Sequence, residues 1–295
     1  MGCPTSLGVA ALVALSFASP AYAFDETKYP DLSGMWRKPP GRDLKGQWVR
    51  GYQGGSRFDP SKGIGPRQEA PLTPEYQAIY KVQLEEQAKG KQGIDPTIRC
   101  ISPGMPRIMH VYSPMQIVVT PEMTHILIEH IHDNRRIYTD GRDWPADMYD
   151  DPQFAGYSIG KWVDEDSDGR YDTLLVETRG LKNPRTYDAT GLPFHEDGRT
   201  IIKEKIYLDK KDPNTLYDEI TVVDDALTRP WTALKYYHRV AAKGPIWWRE
   251  DICAENNVHV MIANEDFYLS ADGLLMPARK DQAPPDLRYF KPAGK

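Results

Sequence analysis

From Arg107 onward, apolar and polar residues alternate with a period of two. The alternation covers Met115–Thr120, His125–His132, Arg135–Thr139, Tyr157–Val163, Thr173–Thr178, Thr200–Leu208, Leu216–Val223, Ala233–Val240, Val258–Ile262 and Phe267–Ser270. Such runs predict half-buried strands, about ten in all. Turn chemistry separates them at Asp140-Gly141, Asp168-Gly169, Asp197-Gly198, Asp212-Pro213-Asn214 and Asp272-Gly273. One stretch has a helical period instead. Thr73 and Pro74 supply an N-cap and a first-turn proline, and Tyr76, Ile79, Tyr80, Val82 and Leu84 form an apolar stripe up to Gly90. Before residue 72 the pattern is irregular, apart from a short strand at Gly34–Arg37. These signals predict a mainly β chain. An antiparallel β-barrel domain over 73–280 includes the external helix 73–90, follows an irregular wrap over 24–72, and precedes a tail over 281–295.

Composition supports this reading. The 295 residues include 23 Gly and 25 Pro, which suits many turns and argues against a helical bundle. The aromatic set is dominated by 17 Tyr, with 7 Trp, and both residues favour sites with one apolar and one polar side. A net charge of −5 provides no broad basic surface for nucleic acid. Residues 1–23 carry no charge, hold an apolar stretch from Leu7 to Ala18, and end in Ala21-Tyr22-Ala23. That is the pattern of a cleaved signal peptide, so a periplasmic or secreted protein is expected. No later segment approaches the length of a membrane span. Cleavage removes Cys3 and leaves Cys100 and Cys253, which an oxidising compartment is expected to join. The long loop so closed is worth roughly 4–5 kcal/mol in the chain-entropy picture.

Several motifs carry candidate chemistry. Asp164, Asp166, Asp168 and Asp172 fall at the spacing of calcium-loop ligands around Gly169, although Leu175 stands where that loop carries its bidentate acid. The expectation is a structural calcium or a plain acidic hairpin turn. His130 and His132 would share one face of a strand beside His125, a weak imidazole pair. Gly156-Tyr157-Ser158-Ile159-Gly160 matches a nucleophile-elbow pattern, but the residues after it read as a strand and not as the helix an elbow needs. Two Asp-Gly-Arg endings, at Asp140–Arg142 and Asp197–Arg199, mark a pocket mouth in which Tyr138, Asp140, Arg142 and His195 are the candidate catalytic set. Arg142 would clamp an anion, His195 or Asp140 would move a proton, and Tyr138 would donate one. The candidate ligand-binding residues are Trp36, Tyr138, Arg142 and Glu177.

Gly34-Met35-Trp36, after an irregular lead, resembles the opening of lipocalins and other calycins, whose Trp plugs the closed end of the barrel. The wider pattern resembles a group of uncharacterised secreted bacterial proteins. It is carried by Leu32–Trp36, Leu72–Pro74, Cys100–Arg107, Arg136–Arg142, Gly156–Gly160, Leu175–Thr178 and Thr228–Thr232. The resemblance implies a signal peptide and one β-rich domain, and it transfers no catalytic residue. The function expected first is binding of a small hydrophobic or aromatic molecule in the barrel. The alternatives are a cofactor-independent lyase, isomerase or hydratase in the same pocket, and a structural or interaction protein.

Overall fold

The computed structural model describes residues 24–37, 70–88, 93–110, 113–188, 190–240, 247–255, 258–262, 265–269 and 275–276. The expected signal peptide, most of the wrap and the tail lie outside these. Nine strands close into one barrel in chain order: β1 (Trp36–Arg37), β2 (Met115–Val119), β3 (Met123–Ile128), β4 (Asn134–Tyr138), β5 (Tyr157–Val163), β6 (Thr173–Arg179), β7 (Ile201–Leu208), β8 (Thr215–Val223) and β9 (Trp231–Arg239). Buried and less buried positions alternate along them, as inward-facing and outward-facing positions of a barrel do. The predicted C-terminal strands do not join the barrel. They form a separate sheet of β10 (Val258–Ile262), β11 (Glu265–Leu269) and β12 (Leu275–Met276).

The expectation of a wholly antiparallel barrel is corrected at one seam. β4 and β5 run parallel, with Ile137 opposite Ser158 and Tyr138 opposite Ile159. Parallel neighbours need a long crossover, and residues 139–156 supply it. At this seam Gly160 is required by space: a Cβ there would stand 2.6 Å from Cγ2 of Ile137. The predicted strand His125–His132 ends at Ile128, because Ile131 and His132 take positive φ in the turn to β4. His130 and His132 therefore do not share a strand face. Instead both meet Asp251: Nδ1 of His130 lies 3.0 Å from its carboxylate, and Nε2 of His132 accepts from its N–H at 3.0 Å.

Helix α1 (Pro74–Ala88) starts where predicted, and the N–H of Tyr76 donates to the Thr73 hydroxyl. Its buried stripe is narrower than the sequence suggests. Only Tyr80 is buried, whereas Ile79 and Val82 are exposed. The helix is moored by backbone bonds from Thr73 to Ala226 and from Thr228 to Pro71, at the loop between β8 and β9. Cys100 and Cys253 are joined as expected, with Cα atoms 5.4 Å apart, and the bond ties residues 247–255 to the segment before β2. Among the described residues, no helix is long and apolar enough to cross a membrane.

Closure depends on the two residues of β1, which bridge β2 and β9. Trp36 is fully buried, and its indole N–H donates to the Leu32 carbonyl at 3.0 Å. The Arg239 guanidinium lies 4.4 Å over its ring and donates to the carbonyls of Ser33 and Asp31 and to Asn214 Oδ1. Gly34 takes φ +89° between those anchors, a conformation that favours glycine. Arg239→Ala is expected to destabilise the fold by about 1.5–3 kcal/mol, since charged hydrogen bonds and the stacked plane go together. Arg239→Lys is expected to recover little of that. Urea unfolding measures both, and a loss near zero in the alanine variant would show that β1 closes the barrel without this anchor.

Candidate functional site

On four barrel strands a charged residue shares the parity of apolar neighbours. Arg135 lies in line with Ile137, Glu204 with Ile202 and Ile206, Asp218 with Leu216, Ile220 and Val222, and Lys235 with Trp231, Ala233 and Tyr237. All four are buried, with exposures of 4% or less. They therefore face the barrel interior, where an ionised group needs a partner.

Arg135 and Glu204 satisfy one another. The guanidinium donates to both carboxylate oxygens, one bond being 2.8 Å long, and also reaches Thr178 Oγ1 at 2.9 Å and Ser158 Oγ at 3.3 Å. Ser158 of the glycine-rich motif is thus a hydrogen-bonding residue inside a strand, as the residues after it imply. Asp218 and Lys235 stand directly opposite each other across β8 and β9. Neither carboxyl oxygen of Asp218 has a hydrogen-bond partner among the described residues, although the side chain is completely buried. Burial first, and the Glu204 charge second, push its pKa well above the ordinary carboxylate range.

Aromatic side chains pack beside Lys235. The Tyr187 ring packs on His110 at 4.6 Å and on Trp231 at 4.5 Å, and Lys235 Nζ stands 6.0 Å from its centre. The Tyr237 hydroxyl donates to the Met109 carbonyl at 2.5 Å. Behind Tyr187 lies Asp188, 2% exposed. Its Oδ1 accepts from the N–H and hydroxyl of Thr190, while Oδ2 has no partner among the described residues. Burial raises its pKa too. The arrangement offers buried acids, an amine and phenols around apolar walls. Such a set can orient a polar group and exchange a proton with it.

The residues singled out from the sequence lie elsewhere. Tyr138, Asp140 and Arg142 do come together, but on the outer surface. Arg142 pairs with Asp140 and lies 3.9 Å over the Tyr138 ring, which stacks on Tyr157 at 4.8 Å. Trp144 and Arg179 extend this ladder, and Glu177 pairs with Arg179 and with Lys203. His195 is on a different loop, 3.1 Å from the Asp197 carboxylate and beside the Tyr76 ring. His195, Asp197 and Asp225 bring ligand-type atoms within 4.8 Å of one another, a grouping that could hold a cation. Trp36 alone of the proposed ligand residues faces inward.

In the acidic hairpin, Asp164, Asp166 and Asp172 gather within 4.8 Å, and Asp168 stands outside the group. Most of these carboxylates accept bonds from the chain, whereas the buried Oδ1 of Asp172 has no hydrogen-bond partner among the described residues. Asp164 accepts from the N–H groups of Asp168 and Gly169, Asp172 from that of Glu165, and Asp166 from Lys210 at 2.8 Å. These bonds build the turn from the chain itself. The hairpin borders an open cleft of about 890 Å3 that Arg170, Tyr171, Lys205 and Tyr207 also line.

Because the folded-state pKa of Asp218 is raised, its contribution to stability is full below the unfolded value of about 4 and is lost as pH rises through the folded value. The difference in melting temperature between wild type and Asp218→Asn is therefore expected to shrink or reverse as pH is raised from 4 to 8. A pH-independent difference would mean that Asp218 is ionised in the folded state. Comparison with protein families, with curated proteins and with solved structures finds no match to this chain.

Proposed function

We propose that the barrel interior receives a small molecule with an apolar or aromatic body and one polar end, and that the polar end meets Asp218. The observation that carries this reading is the fully buried Asp218 carboxyl, whose two oxygens lack hydrogen-bond partners among the described residues. A polar group buried without a partner costs about 1–3 kcal/mol, and folded proteins keep few of them. A ligand group supplied at this point would offset that cost. The apolar walls, among them Ile126, Ile137, Leu174 and Ile220, suit the body of such a molecule. The lipocalin-like reading is supported by Trp36, buried at the strand that closes the barrel. The Cys100–Cys253 bond supports work in an oxidising compartment, the periplasm or the exterior.

A second reading, acid–base catalysis on the same molecule, is favoured by the raised pKa of Asp218 opposite Lys235. A neutral acid and an amine on facing positions can give and take a proton without a cofactor. This moves the candidate lyase, isomerase or hydratase residues from the Asp-Gly-Arg turns to the interior.

Native mass spectrometry of the full chain, purified from cells, tests binding. Wild type is expected to carry a non-covalent adduct of a few hundred daltons, or to bind the apolar probe anilinonaphthalene sulfonate. The double variant Asp218→Leu/Lys235→Met is expected to lose both, with stability unchanged or raised by up to about 4 kcal/mol, as when buried charges give way to apolar residues. A wild type that binds neither adduct nor probe would overturn the reading, as would a double variant that unfolds more easily and still binds.

A further inference from the structure

The His195 loop and the turn between β8 and β9 bring three metal-ligating side chains to one point. Ligand-type atoms of His195, Asp197 and Asp225 lie within 4.8 Å of one another. Nδ1 of His195 stands 3.1 Å from Asp197 Oδ2, and the Asp225 carboxyl is within hydrogen-bond reach of that of Asp197. The N–H of Asp197 points at the same imidazole nitrogen, at 3.3 Å, which favours a lone pair there over a proton. Three acceptors then face one another, and acceptors so placed repel unless a cation lies between them. Among the described residues no Lys or Arg side chain is ion-paired with Asp197 or Asp225. The acidic hairpin differs, since Lys210 supplies a counter-charge to Asp166 there. The Arg185 guanidinium, 5% exposed, is bonded to neutral acceptors: Asn183 Oδ1 at 2.5 Å, the His195 carbonyl at 2.6 Å and the Thr200 hydroxyl at 2.7 Å.

A buried frame holds these side chains in place. Asp224 Oδ1 accepts from the N–H of His195 at 2.9 Å and from that of Ala226 at 2.8 Å, so one carboxylate fixes both loops that carry them. Its Oδ2 accepts from the buried Thr200 hydroxyl, which in turn accepts from Arg185. Asp197 Oδ1 accepts from the N–H of Arg199 at 2.9 Å, which leaves Oδ2 facing the imidazole. Outer hydrogen bonds of this kind orient the ligands of metal sites. We propose that His195, Asp197 and Asp225 hold one divalent transition metal ion of the Zn2+ class, where the His195 loop meets the turn between β8 and β9. An imidazole nitrogen with two carboxylates suits Zn2+, whereas calcium takes about six to eight oxygen ligands. Asp197 and Asp225 are exposed, so water completes the coordination.

Calorimetric titration of the tag-free, disulfide-bonded protein with Zn2+ and with Ca2+, after treatment with a chelator and its removal, tests the site. Wild type is expected to bind one equivalent of Zn2+, at least about tenfold more tightly than Ca2+. His195→Ala and Asp225→Ala change side chains that water reaches, so both variants are expected to fold. Each is expected to weaken zinc binding by at least about tenfold. Asp166→Asn, in the acidic hairpin, is expected to leave zinc binding unchanged. Four results would overturn the assignment: no zinc bound by wild type, zinc binding unaltered in both the His195 and Asp225 variants, zinc lost in the Asp166 variant alone, or calcium bound more tightly than zinc.

Discussion

The barrel closes through two residues. Among the described residues β1 links β2 to β9, and its length gives it few backbone bonds of its own. What it lacks in ladder it makes up in side chains. Trp36 fills the seam from within, and Arg239 covers the ring and ties the chain on both sides of Gly34. An open sheet of the same strands would leave the edges of β2 and β9 unpaired and the inner face of every strand wet. Closure by β1 is what makes the interior dry, and dryness sets the terms for every polar residue inside.

Under those terms, similar residue types behave differently according to place. Outside, Lys205 with Glu165 and Lys210 with Asp166 are exposed pairs that water screens, each worth a fraction of a kcal/mol. Inside, Arg135 and Glu204 must meet in full, and Ser158 and Thr178 supply the remaining acceptors to the guanidinium. The pair is better understood as a requirement of burial than as a source of stability, since apolar residues in its place would pack as well. Asp218 meets the same requirement by remaining toward its neutral form. The barrel strands thus hold a charged pair that is complete, Arg135 with Glu204, and an acid, Asp218, that is not.

Much of this architecture can be read from the chain. Strict alternation identifies β5 to β9, because those strands are long, although β6 and β7 are joined by the long connection 180–200 and not by a hairpin turn. The parallel seam between β4 and β5 leaves no local mark, since direction is set by the crossover 139–156 and not by either strand. The end of β3 is missed because His130 and His132 continue the alternation while Ile131 and His132 turn the backbone at positive φ. The helix stripe is overcounted because Ile79 and Val82 are apolar yet face solvent, so apolarity alone does not decide which side packs. The interior acids do leave a signal. Asp218 interrupts the apolar parity of Leu216, Ile220 and Val222, and Lys235 that of Trp231, Ala233 and Tyr237. Asp-Gly-Arg turns attract attention first because their residues are grouped in sequence, whereas the interior set is assembled only by register.

Magnitude separates the two kinds of candidate. The outer ladder of Arg142, Tyr138, Tyr157, Trp144 and Arg179 is self-satisfied: each cation has a ring, and Asp140 and Glu177 complete the charges. Removing it would expose groups that water can solvate, so its presence is explained by modest surface energies alone. The acidic hairpin is largely matched by main-chain N–H groups and Lys210, and its one buried oxygen without a partner, Oδ1 of Asp172, belongs to a carboxylate whose other oxygen accepts from the N–H of Glu165. Asp218 and Asp188 cannot be explained in that way. Each leaves carboxyl oxygen unmatched where water does not reach, and an apolar residue of similar volume would have been the cheaper choice for folding. A residue that folding alone would disfavour points to what the folded molecule does with it. In this barrel that reasoning leads inward, to Asp218 opposite Lys235 on the facing strands β8 and β9.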